Sequence, residues 1–170
     1  MEEYKKTLVV YFSYTTGNTK RIAEKISKVL NADMDVLEPE LPYSKDYDKV
    51  VEQGEEEVQT GYRPKLRPLH HLLRNYDRII VGSPAWWYSP ASVVMSFLEG
   101  IDLHGKTIVP FMTHAGWPGH VLADMKDAAR RNGANVKEGH AFQFSAQTGH
   151  RAEMKTSGVE LEQWISSLMQ

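Results

Sequence analysis

Five short runs of β-branched and apolar residues are separated by segments whose apolar residues recur at helical spacing, and this alternation is the strongest constraint on the fold. Thr7 to Phe12 is the first run, followed by turn residues and then Ile22, Ile26, Val29 and Leu30 on one helical face. Met34 to Glu38 reads as the second strand. Pro39 and Pro42 then interrupt, and Tyr47, Val50, Val51 and Val58 predict an amphipathic helix from near Ser44, weakened at Gly54. Arg78 to Ser83, with Ile79, Ile80 and Val81, has the pattern of a strand buried on both faces; Val93, Val94, Phe97 and Leu98 mark a helix ending at Gly100. Lys106 to Thr113 repeats the strand pattern. Val121, Leu122, Met125, Ala128 and Ala129 repeat the helical one, with Arg130 and Arg131 complementing its C-terminal dipole and Gly133 stopping it. Val136 to Phe144 supplies a fifth strand. Ser157 and Glu160 have capping-box spacing ahead of Leu161, Trp164, Ile165 and Leu168.

Strands alternating with helices imply a mostly parallel sheet covered on both faces, because right-handed crossovers return over the sheet. Ligands of such sheets bind beyond the carboxyl ends of the strands, so the loops after strands one, three and four are the ones to examine. The 170 residues, 41% of them hydrophobic, suit a single domain over 1–170. No apolar run approaches the roughly 18 to 20 residues of a membrane span, and Met1 to Lys6 carries no cleavage pattern; a cytoplasmic chain without a membrane partner is expected. A net charge of -2 favours no nucleic acid. With no cysteine, the chain has no disulfide, no thiolate ligand and no thiol nucleophile, so any redox chemistry needs a bound cofactor.

The first loop, Ser13-Tyr14-Thr15-Thr16-Gly17-Asn18-Thr19, sets hydroxyls, a glycine and an amide where the N–H groups opening a helix lack partners. Such a terminus suits a phosphate monoester, with Ser13, Thr15, Thr16 and Thr19 as hydroxyl donors and Gly17 allowing close approach. A simple N-cap at Asn18 or Thr19 would need only one of these side chains. No Walker lysine and no triple-glycine dinucleotide pattern is present, which argues against ATP, GTP and NAD here. After the third strand, Trp86, Trp87 and Tyr88 suit stacking on a planar ligand or covering the sheet end, with Ser83 and Pro84 expected to form a turn. After the fourth strand, His114-Ala115-Gly116-Trp117-Pro118-Gly119-His120 lies at the same expected edge.

The first loop resembles the flavodoxin signature, a Thr/Ser-x-Thr-Gly-x-Thr loop after the first strand. Pro42-Tyr43, Arg63-Pro64, Tyr76-Asp77, Gly82-Ser83-Pro84-Ala85-Trp86-Trp87, Phe97-Leu98-Glu99 and Gly105-Lys106 extend that resemblance over most of the chain. It implies a flavodoxin-like three-layer α/β sandwich, a five-stranded parallel sheet of order 2-1-3-4-5 with helices on both faces, and FMN as cofactor. By resemblance, Ser13, Thr15, Thr16, Gly17, Asn18 and Thr19 hold the phosphate. Pro84, Ala85, Trp86 and Trp87 frame one side of the ring, with Trp86 stacking on it; His114, Ala115, Gly116 and Trp117 frame the pyrimidine end.

No side chain is needed as a nucleophile, and the histidines lack metal-ligand spacing: His70 and His71 are adjacent, and His114 and His120 flank a loop. His114 near a flavin could tune it or relay a proton, because imidazole titrates near neutrality. Glu55-Glu56-Glu57 reads as a solvated helix face. The leading expectation is an FMN-binding electron carrier serving a redox partner protein or a small planar acceptor. The near balance of charge departs from the strong acidity usual among such carriers. An FMN-dependent NAD(P)H:quinone-type oxidoreductase and a non-catalytic flavin-binding module stand as alternatives, and a homodimer stays open.

Overall fold

The computed structural model describes residues 6–14, 17–146 and 152–169. Parallel strands β1 (Thr7–Tyr11), β2 (Asp33–Val36), β3 (Arg78–Trp86) and β5 (Thr107–His114) form the sheet, in the order β2, β1, β3, β5. The fifth position beside β5 is shared by β6 (Asn135–Val136) and β7 (His140–Gln143), both parallel to it. Counted as one strand, they complete the expected 2-1-3-4-5 order. Helices α1 (Asn18–Leu30), α2 (Tyr47–Thr60), α3 (Ser92–Gly100), α4 (Val121–Arg131) and α5 (Gly158–Ser167) make the outer layers.

Alternation along each strand sends successive side chains to opposite faces. Leu8, Val10, Ile79, Val81, Ile108 and Met112 pack with Val94, Phe97 and Leu98 of α3 and Met125 and Ala129 of α4. Val9, Tyr11, Ile80, Val109 and Phe111 pack with Ile22 and Ile26 of α1 and Leu161 and Ile165 of α5. The sheet is thus buried on both sides, which is why its strands read as unbroken apolar runs. Among the described residues, no helix is long and apolar enough to cross a membrane.

The structure alters the expected elements in four places. First, the strand expected over 136–144 is broken. Ile108 O accepts from Lys137 N at 2.9 Å and Lys106 O from Asn135 N at 2.9 Å, so the even-numbered residues of β5 aim their backbone groups at the fifth position. Pro110 is one of them and has no N–H to give. The chain detours there through Gly139 at φ +82, where a Cβ would stand 2.2 Å from Pro110 O.

Second, β3 does not turn at Ser83 and Pro84. Pairing with β5 continues through Pro84 opposite Thr113, and the strand runs on to Trp86 before folding back as β4 (Ser89–Pro90), antiparallel to it. Ser83 is fully buried; its hydroxyl donates to Pro84 O and accepts the Ala91 N–H at 3.0 Å, tying the outgoing and returning strands together.

Third, α2 begins at Tyr47 rather than near Ser44, with Asp46 as N-cap accepting the Asp48 N–H. Gly54 is tolerated inside it because the Trp86 ring lies there: a Cβ would be 3.1 Å from Trp86 Cε3. Fourth, the capping box of α5 is half made. Ser157 accepts the Glu160 N–H at 3.1 Å, but the Glu160 carboxylate bonds His140 Nε2 at 2.7 Å instead of returning to the cap.

One connection went unread in the sequence. Residues 62–76 run along the outer edge of β2, with a Pro39 to Leu66 bridge and a bond from Arg67 N to Glu38 O. His71 fastens this strap by donating its backbone N–H to the buried Asp35 carboxylate, with its Nδ1 3.0 Å from the same oxygen. The strap thus pairs by its backbone with residues 38–40 after β2 and reaches β2 itself through the Asp35 and Asp33 carboxylates.

Candidate cofactor-binding site

Three loops meet at the carboxyl edge of the sheet. The first leaves β1 and enters α1 at Gly17, whose left-handed conformation (φ +70) makes it an N-cap without a side-chain bond to the helix. Ser13 Oγ accepts the Lys20 N–H at 3.3 Å, and Gly17 O accepts the Arg21 N–H at 3.0 Å. The N–H groups of Asn18 and Thr19 have no acceptor among the described residues, and nothing lies within 4 Å of a Cβ built on Gly17. The first turn contains no acidic residue. Positive potential, open donors and open space coincide, as an anion requires. Thr15 and Thr16, expected in the same cradle, lie outside the described residues.

Two further polar groups in this helix turn are buried. Among the described residues, Asn18 Oδ1 is buried without a hydrogen-bond partner, an acceptor left unsatisfied. Thr19 is only 1% exposed, and its hydroxyl lies 2.8 Å from that of Thr113 on β5. Thr19 therefore ties α1 to the strand that leads into the third loop, a partner its position in the sequence did not reveal. Thr19→Val is expected to cost about 1 to 3 kcal/mol, because it strands the Thr113 hydroxyl in the core, and Thr19→Val with Thr113→Val less than the sum of the two. A urea-unfolding double-mutant cycle reads this coupling.

The second loop is the tip of the β3–β4 hairpin. Trp86 pairs with Ser89, so Trp87 and Tyr88 are the two turn residues, and both have positive φ, +52 and +66. Such turns ordinarily use Asn-Gly, because two left-handed side-chain-bearing residues are strained by about 1 to 2 kcal/mol each. The turn is held from outside: Tyr88 O accepts the His120 N–H at 2.9 Å, and Trp87 Nε1 donates to Val51 O on α2 at 3.3 Å. Its rings remain open to solvent, Trp87 at 44% and Tyr88 at 55%.

Trp86 has a different environment from Trp87. It is half-buried and meets Phe12 edge-on at 5.4 Å and Tyr43 at 5.3 Å, with Gly54 of α2 against its ring. Tyr43 in turn donates to the Glu57 carboxylate at 2.7 Å. Burial, reinforced by that bond, pushes the Tyr43 phenol far above its ordinary value, so it stays protonated. Phe12, Tyr43 and Trp86 form an aromatic floor under the loops. The sequence reading placed Phe12 only at the end of the first strand and Tyr43 only in the Pro42-Tyr43 match, and assigned neither to the site.

The third loop follows β5. His114 is half-buried, and Gly116 at φ +119 and Gly119 at φ +53 shape the backbone between it and α4. Trp117 is 63% exposed and Ala115 is exposed, while Pro84 and Ala85 across the gap are half-buried. The calls on Ser13, Gly17, Asn18, Pro84, Ala85, Trp86, Trp87, His114, Ala115, Gly116 and Trp117 therefore fall on loops that all open at one end of the sheet. Gly119 and Tyr88, read in the sequence as a loop glycine and a stacking aromatic, were not expected to join two of these loops. Pro118-Gly119 was the available signal for the first; a bulky pair in a tight hairpin leaves none for the second.

Known proteins share this fold. A family model described as Flavodoxin matches residues 6–157. A candidate flavoprotein from Bacteroides eggerthii DSM 20697 is similar at 27% identity and a TM-score of 0.76, covering 98% of this chain and 99% of its own. A flavoprotein in complex with FMN from Lactobacillus acidophilus NCFM is similar at 28% identity and 0.68, covering 81% of this chain and 93% of its own. Flavodoxin 1 from Bacillus cereus, at 20% identity and 0.55 over 95% and 94%, shares the fold. No curated protein matches significantly.

Proposed function

The chain belongs to the flavodoxin family, and from that premise we propose that it binds FMN at the three-loop edge and transfers electrons through it. The observation that carries this reading is the N-terminus of α1, which has no side-chain cap and leaves the Asn18 and Thr19 N–H groups without an acceptor among the described residues beside open space, combined with a buried orphan acceptor at Asn18. The first, a set of donors, suits the phosphate, and the second, an acceptor, suits a ribityl hydroxyl, so together they fit both polar parts of FMN. The similar flavoprotein from Lactobacillus acidophilus was solved with FMN, which supports the same choice.

Bound FMN would supply one- and two-electron chemistry; the protein supplies binding, orientation and electrostatics. Ser13, Gly17 and Asn18 would hold the phosphate end, joined by Thr15, Thr16 and the backbone N–H of Thr19. Pro84 to Trp87 and His114 to Trp117 would frame the ring. Trp86 is already packed on Phe12, Tyr43 and Gly54, so stacking on the ring falls to the more open Trp87.

Titration of the apoprotein with FMN and with riboflavin tests the reading. FMN is expected to bind and quench in fluorescence, and riboflavin, lacking the phosphate, to bind at least roughly tenfold more weakly, since one charge-assisted bond is worth about 1.5 to 3 kcal/mol. Equal affinity for both would remove the phosphate from the α1 terminus, and no uptake of either would end the flavin reading. The exposed rings of Trp87, Tyr88 and Trp117 favour a second reading, an oxidoreductase acting on a planar acceptor. Rapid NADH or NADPH oxidation with a quinone would select it over the carrier.

A further inference from the structure

At the carboxyl end of β5, the imidazole of His114 folds back on its own loop, and its Nδ1 accepts the Gly116 N–H at 3.0 Å. A ring nitrogen accepts only while it carries no proton, so this bond selects the neutral imidazole with its proton on Nε2. Gly116 takes up the turn at φ +119, a conformation side chains rarely adopt. The far end of the loop is fixed independently, by the His120 N–H on Tyr88 O and by the packing of Gly119 on the Tyr88 backbone. His114 itself is fixed by the Phe144 N–H on its carbonyl at 2.8 Å, and the imidazole bond carries that hold forward to Gly116, on a span that bears exposed Trp117.

The surroundings keep the ring neutral. Burial pushes His114 below the usual imidazole value, and burial is the sole cause. Gln143, opposite it on β7, is neutral, as are Pro84 on β3 and the Thr19 and Thr113 hydroxyls. Among the described residues, the titratable groups on neighbouring elements are Tyr88 at the hairpin tip, whose backbone meets the loop, His120 and Asp124 at the start of α4, which bond each other at 2.5 Å, and Glu153 and Lys155 on the segment that pairs with β7 and its extension.

We propose that His114 is a positioning residue: its neutral imidazole braces the loop 114–120 in the shape that receives the pyrimidine end of FMN, and its protonation releases that loop. The inference rests on the FMN reading above. On protonation, Nδ1–H faces the Gly116 N–H, donor against donor, and the bond is lost. The folded-state value lies below the unfolded one of 6.5, so the brace is fully present above about 6.5 and is lost as pH falls through the folded value.

Asparagine separates this from a general effect of acid. At position i of a turn, its side-chain oxygen accepts the N–H two residues on, reproducing the brace without a titrating group. His114→Ala is expected to weaken FMN by roughly tenfold near pH 7.5, the loss of one such bond, and His114→Asn to recover most of that. Between about pH 7.5 and 5, protonation of the FMN phosphate weakens binding in every variant. The wild type is expected to fall roughly tenfold further than His114→Asn. In the apoprotein, the imidazole 15N shifts of His114 are expected to report the Nε2–H tautomer. An Nδ1–H tautomer, a pH profile of His114→Asn as steep as wild type, or full affinity in His114→Ala would each overturn the proposal. Should wild type take up no FMN at any pH, the FMN reading falls, and the nitrogen shifts in the apoprotein still decide the brace.

Discussion

Gly82→Ala is expected to destabilise the fold by about 2 to 3 kcal/mol, a large effect for a single methyl group. Gly82 lies in the middle of the sheet, paired with Tyr11 on β1 and Phe111 on β5. A Cβ built on it would stand 2.1 Å from Phe111 Cζ and within 2.6 Å of both Cε atoms, far inside contact distance. The ring cannot step aside freely, because Phe111 is fully buried and packs at 6.2 Å on Trp164 of α5. Against this, alanine is better than glycine in a strand by roughly 0.5 to 1 kcal/mol through chain entropy. The steric term wins because the overlap exceeds 1 Å and its relief means moving an interior side chain. Thermal unfolding should drop by about 2 to 4 °C per kcal/mol at this size. In the Gly82→Ala background, Phe111→Leu should cost much less than it does alone, since the smaller side chain makes room for the methyl; additive losses in a urea-unfolding cycle would show that Phe111 is not the obstruction.

Where the chain is buried on both faces of the sheet, its sequence announces the structure. Ile79, Ile80 and Val81 have no polar alternation to hide them, and Ile22 and Ile26 repeat at one helical turn because only one stripe of α1 meets the sheet. The first loop was legible in its backbone: Gly17 was expected to permit positive φ ahead of the helix, and it caps α1 at φ +70. The failures share a different cause: they depend on groups far apart in sequence. Pro110 breaks the fifth strand only because its missing N–H points at that neighbour and not at β3, a matter of register. Ser83 and Pro84 look like turn residues, yet β5 keeps them paired through Thr113, and the real turn falls on two aromatic residues that no turn propensity would choose. Thr19 looks like a loop hydroxyl until Thr113 is placed 2.8 Å away. Trp86 and Trp87 are adjacent and chemically alike, and only the positions of Phe12, Tyr43 and Gly54 distinguish the packed ring from the open one.

The same dependence on distant partners gives Gly119→Ala its expected result, a loss of FMN affinity of at least tenfold with a much smaller change in global stability. Gly119 sits at φ +53, where alanine alone would cost about 1 kcal/mol. The decisive obstacle is the neighbour: a Cβ would stand 2.3 Å from Tyr88 O and 2.6 Å from Tyr88 Cα. These are backbone atoms of a strained turn, so no rotamer change relieves the clash. The two loops must separate, and with them goes the bond from His120 N to Tyr88 O. That bond is one of the two outside holds on the left-handed pair of Trp87 and Tyr88, the other being Trp87 Nε1 on Val51 O, so its loss frees the Tyr88 side of the tip to relax and misplaces one wall of the proposed ring site relative to the other. The sheet and both core clusters lie below the loops and keep their packing, which separates this variant from Gly82→Ala: the first should lose ligand while retaining its unfolding midpoint within a few degrees, the second should lose midpoint first. Retained FMN affinity in a folded Gly119→Ala protein would show that the contact between the loops is incidental to the site. Tyr88→Gly supplies the complementary case, because it removes the turn strain while keeping the carbonyl that His120 bonds. Its stability is expected to rise by up to about 1 kcal/mol, with FMN affinity preserved if the latch, rather than the Tyr88 ring, sets the geometry of the site.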